Sequence, residues 1–132
     1  MKYNILLICI FFGFVIAVGC KDTVTNSDID SKVIPSSNVS YNEHIQPLFE
    51  VKCNNAGCHD DSKRAAGLSL TSYQNTMSDP TMIVPGSPDN SRLVWAIRPG
   101  ASTPMPPLNY PQLTKNQLDG IVTWIKEGAK AN

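Results

Sequence analysis

Charge excess and repeats are missing from this chain, and no apolar run is long enough for a confident membrane span. Its 132 residues carry 11 basic and 11 acidic side chains, for a formal net charge of zero. With no basic run, nucleic acid is not an expected partner. No internal repeat is visible, and the length suits one small domain. Histidine occurs only at positions 44 and 59, and there are four cysteines. Scarce metal-ligand residues leave few places for site chemistry, which narrows the search.

The start of the chain is an address rather than a fold. Lys2 precedes a run from Ile5 to Val18 broken only by Cys9 and Gly13, with small residues at Ala17 and Gly19. That is the layout of an export signal, too short for a confident membrane span. Ala17-Val18-Gly19-Cys20 resembles a bacterial lipobox, in which Cys20 is lipidated and becomes the new N-terminus. The alternative is an ordinary secretory signal with an incidental cysteine. Residues 1–19 are thus expected to be a lipoprotein signal. Residues 20–40, rich in Ser, Thr, Asp and Asn without apolar period, are expected to be the lipidated cysteine and a flexible polar tether. Residues 41–132 remain for the folded domain.

Within that domain the only cysteines are Cys53 and Cys58, and His59 comes directly after. Two cysteines with a histidine after the second is the pattern for covalent haem attachment, the thiols forming thioethers and the imidazole ligating iron. Four residues separate the cysteines here, where two are usual. On a regular helix, side chains five apart diverge by about 140°. The intervening Asn54-Asn55-Ala56-Gly57, however, contains residues that tolerate left-handed turns, so a bulged loop is expected. A disulfide between two exported cysteines and a zinc site are the alternatives. Zinc usually takes four ligands, and beyond these three only His44 is on offer.

Around the motif the pattern is helical. Ser40 or Asn42 can cap a helix running to about Cys53, with Ile45, Leu48 and Phe49 on one face and Pro47 in its first turns. Asp60 to Arg64 reads as solvated charge, and Thr71 to Met77 as one short helix. Asp89 to Ser91 cap another that carries Leu93, Val94 and Ile97. Trp95 is expected in the core, with Arg92 and Arg98 on the surface. Pro104, Pro106, Pro107 and Pro111 stiffen a loop in which Met105 is held extended, a poor place for adaptable core filler and a good one for a thioether aimed at iron. Thr114 and Gln117 form a capping-box pattern for a last helix to about Lys130, striped by Leu118, Ile121, Val122 and Ile125. Met77, Met82 and His44 are the rivals of Met105 as second iron ligand.

Several segments in order carry a family resemblance: Ile45 to Phe49, Cys53 with Cys58-His59, Gly67 to Leu70, Val84 to Pro88 with Ser91 and Leu93, Met105-Pro106-Pro107, and Leu113-Thr114 with Trp124 to Ala129. Over about residues 44–129 they resemble the planctomycete-type small cytochrome c domains of the class I cytochrome c fold. The resemblance implies an all-α domain of short helices and long loops packed around one covalent haem c. It implies thioethers at Cys53 and Cys58, and His59 and Met105 as axial ligands. With both axial positions filled, the expected function is one-electron transfer to redox protein partners in the cell envelope, from a membrane held through lipid at Cys20, and not an enzyme. A haem-bearing subunit or sensor of a larger envelope complex, or a peroxidase-like haem enzyme, is the alternative.

Overall fold

The computed structural model describes residues 23–55 and 57–132. The signal segment, with Cys9, and the lipidation candidate Cys20 lie outside the described residues. Among the described residues there are helices and turns but no strand, and no helix is long and apolar enough to cross a membrane.

The first helix, α1 (Asn26–Ser31), stands in the stretch expected to be a flexible tether, and that expectation is corrected here. Thr25 closes a capping box with Asp28, which satisfies end groups that otherwise need water. Ile29, Ile34 and Val39 are buried. The extended run after α1 is bonded along its length to the last helix. The Asn116 side-chain amide accepts from Ile34 N–H at 2.8 Å and donates to Ile34 C=O at 3.0 Å. The Glu127 carboxylate takes the N–H groups of Asn38 and Val39 at 2.7 and 2.9 Å. Polar composition hid a segment whose backbone groups have fixed partners.

Helix α2 (Gln46–Lys52) is entered through a π-helical turn, Tyr41–Ile45. Ser40 caps that turn by accepting from Glu43 N–H. Pro47 lacks an N–H and its ring crowds the carbonyl four residues back, which accounts for the wide turn before it. The carbonyl so released, on Glu43, accepts instead from the Lys32 ammonium. Ile45, Leu48 and Phe49 are fully buried, as their spacing predicts.

Two short helices come next, α3 (Tyr73–Thr76) and α4 (Arg92–Ile97). Leu93, Val94 and Ile97 of α4 are buried. Trp95 departs from expectation: it is 53 % exposed, its indole N–H donating at 2.7 Å to the Asp89 carbonyl. Helix α5 (Lys115–Lys126) opens on the Thr114–Gln117 capping box. It ends four residues short of Lys130, because Gly128 and Ala129 adopt positive φ and their N–H groups cap Ile125 and Trp124 carbonyls. Ile121, Trp124 and Ile125 are buried, while Leu118 and Val122 only border the core. Trp124 meets Tyr41 with ring centroids 5.3 Å apart, joining α5 to the entry of α2. The domain is all-α, as the sequence predicts.

Candidate functional site

Helix α2 ends at the motif. Cys53 N–H and Asn54 N–H both donate to the Phe49 carbonyl, at 2.9 and 2.8 Å, so the helix stops where the cysteine begins. Short-range bonds draw in the longer spacing between the cysteines. Cys58 N–H donates to Asn55 C=O at 2.9 Å, with Gly57 at φ +85°, a conformation that suits glycine. His59 N–H returns to the Cys53 carbonyl at 3.3 Å, closing the loop. The two cysteines are free thiols.

The loop after His59 is more ordered than its charged composition suggests. Asp60 and Asp61, expected as solvated charge, organise it. The Asp60 carboxylate accepts from Gly57 N–H at 2.9 Å, Lys63 N–H at 2.6 Å and Ser62 Oγ at 2.8 Å. These bonds, led by the Lys63 and Gly57 N–H groups, hold its pKa down at about 2. Asp61 gathers Ser69 Oγ, Thr71 Oγ1 and Asn75 Nδ2 within 2.6–3.0 Å. The His59 carbonyl accepts from Leu70 N–H at 2.9 Å and the Cys58 carbonyl from Ala65 N–H at 3.0 Å. The Asp-x-Ser turn pattern after His59 was the available signal.

A cavity of about 360 Å³ opens beside this loop, with Cys53, His59, Leu68, Leu93, Ile97 and Met105 among its walls. It falls in the roughly 300–1,000 Å³ range of small-molecule and cofactor sites. A second cavity of about 220 Å³ shares Cys53, His59 and Met105 and adds Cys58, Lys52 and Pro106. Residues far apart in the chain therefore meet around one space. Met82 also lines the larger cavity, but it is buried and does not line the second. Met77 packs against the core and lines neither. His44 is elsewhere, its Nδ1 accepting from Ser40 N–H at 3.1 Å. Met105 sits on the proline loop, 38 % exposed, with its N–H donating to the Ala96 carbonyl at 2.9 Å. Arg92 and Arg98 are exposed and paired with Asp79 and Asp89.

The chemistry of the walls suits a covalently held haem. Cys53 packs against the core; burial pushes its thiol up to about 12, the neighbouring Cys58 adds to this and Lys52 opposes it. The His59 Nδ1 is buried with no hydrogen-bond partner among the described residues. A ring nitrogen in that state is costly and asks for a partner. No three His, Cys, Asp or Glu side chains among the described residues stand together as donors of the zinc type.

An all-α arrangement with two thiols, a histidine and a methionine around an apolar cavity is consistent with a cytochrome c-like domain. Residues 56–109 match the model of a family described as planctomycete cytochrome C, the resemblance read from the sequence. No curated protein and no solved structure matches the chain. The matched segment contains Cys58, His59 and Met105 but begins after Cys53. A cytochrome c family implies a covalent haem and suggests an electron carrier.

Proposed function

We propose that this protein is a lipid-anchored one-electron carrier of the bacterial cell envelope, holding one haem c. Cys53 and Cys58 would be the thioether sites, and His59 and Met105 would ligate the iron. The observation that carries the reading is the meeting of Cys53, His59 and Met105 in the walls of both cavities. A bound haem supplies reversible one-electron chemistry at iron, and Met/His ligation raises its potential. The chain's own part is to hold and enclose. The Asp60 and Asp61 bonds fix the His59 loop, Leu68, Leu93 and Ile97 exclude water, and the prolines around Met105 limit where its thioether can go. With both ligand positions filled no substrate position is left, which favours a carrier over a peroxidase-like enzyme. Cys20 as the lipid site supplies the membrane, and redox proteins of the envelope are the partners.

The test is spectroscopic. With Met105 on iron, the oxidised protein shows a weak near-infrared sulfur-to-iron band and the reduced protein resists CO. Met105→Ala should abolish the band, admit CO and lower the potential, a readable change given that axial ligands span roughly 0.8 V across haem proteins. Met82→Ala should do none of this. If Met105→Ala keeps both the band and the CO resistance, the ligand is another residue. For the anchor, Cys20→Ala should move the protein from the membrane to the soluble fraction with its haem intact; a variant still sedimenting with membranes would remove Cys20 from the account.

A further inference from the structure

Lys52 is the last residue of α2, and its side chain is wholly buried. An ammonium withdrawn from water has to be met by acceptors. Two meet it: Asp30 Oδ1 of α1 at 2.8 Å and the backbone carbonyl of Gln112 at 3.4 Å. The Gln112 side-chain amide continues the chain of bonds. Its nitrogen is shared among the carbonyls of Pro106, Pro107 and Tyr110, at 3.3, 2.9 and 2.8 Å. The proline-rich loop has few N–H groups of its own to give, so this one amide is its main internal tie. At the other end, Asp30 Oδ1 also accepts from Gln117 Nε2 of α5 at 2.9 Å. Lys52 itself lines the cavity of Cys53, Cys58, His59 and Met105.

We propose that Asp30, Lys52 and Gln112 form a strap that holds the 104–112 loop against the cavity. Lys52 and Asp30 are then positioning residues for the Met105 thioether, and α1 is part of the site. Lys52 is wholly buried but the Asp30 side chain is 40 % exposed, so water screens the pair and bulk stability is a poor account of it. An apolar pair would offer Gln112 no donor. The inference rests on the reading of Met105 as the iron ligand.

The test uses the full haem-loaded chain and three strap variants: Gln112→Ala, whose side chain is exposed, Lys52→Met and Asp30→Asn. Ile125→Ala, which loosens the core away from the strap, is the control for general destabilisation. Amide exchange is read at Met105 and Tyr110 for the loop and at Ile121 for α5. Loss of a charge-assisted or shared hydrogen bond should speed exchange at the two loop amides about tenfold or more relative to the control. The near-infrared band should weaken and CO binding to the reduced protein should become detectable. Loop exchange that moves no more than in Ile125→Ala would overturn the strap. Faster loop exchange with CO resistance intact would overturn its positioning role. A wild-type protein lacking the band would instead sink the Met105 assignment, and it is recognised before any variant is made; the exchange comparison still decides whether the strap holds the loop.

Discussion

At the scale of single residues, the site depends on a few polar groups whose partners are far away in sequence. Asp30 is the clearest. Hydrogen bonds from Lys52 and then Gln117 hold its carboxyl below the usual 3.8, with burial opposing them and the Lys52 charge assisting. A carboxylate whose folded pKa is depressed stabilises the fold above its unfolded value and loses that contribution as pH falls through the folded one. Asp30→Asn should therefore be less stable than wild type at neutral pH, with the gap closing as the medium is acidified through the carboxylate range. Urea midpoints of both proteins across that range measure it; a gap that does not narrow would mean that the Asp30 charge contributes nothing. Cys58, His59 and Met105 stand out in the sequence because thiol, imidazole and thioether side chains are scarce in it. Asp30, Lys52 and Gln112 do not, since a charged or amide side chain looks the same exposed or buried until its partner is known.

Among the elements, α2 and α5 were legible because each carries its own signals. Ser40 and Thr114 cap, Ile45, Leu48 and Phe49 mark one face of α2, and Ile121 and Ile125 mark one face of α5. The segment from α1 to Val39 was not legible, although Thr25 and Asp28 spell a capping box. Its buried residues Ile29, Ile34 and Val39 recur every five positions, a spacing that fits neither helix nor strand. The first helix packs against α2, Ile34 lies over Gly120 of α5, and Asn116 and Glu127 hold the backbone of the run, none of which a local pattern announces. Trp95 was misplaced for a related reason: α4 has six residues, too few for its stripe to say which side faces a cavity. The docking of the N-terminal run onto α5 gives a prediction with an unusual sign. A Cβ on Gly120 would lie 2.6 Å from Ile34 Cγ2. Helix propensity alone favours Gly120→Ala by about 1 kcal/mol. The clash should reverse that, for a net loss of about 1–3 kcal/mol in chemical denaturation. A stabilised variant would show that Ile34 does not rest on α5.

For the whole molecule, the described fold has short helices, long loops and an apolar cavity open on one side. Small domains of this kind bury little surface unaided and lean on a staple. A haem held at Cys53 and Cys58 would serve as that staple and as the redox centre together. The all-α class was readable from the order of motifs, and the residues singled out there, Cys53, His59 and Met105, line the same cavities. The ordered N-terminal run and the loop-fixing aspartates were not, since they are made of common polar residues and long-range bonds. Acid-acetone extraction tests the covalent attachment of haem most directly. The full chain, produced with a cytochrome c maturation system and denatured, should keep its pigment through the extraction, at one haem per chain. Pigment that leaves with the solvent would contradict the thioethers at Cys53 and Cys58 and, with them, this account of the site.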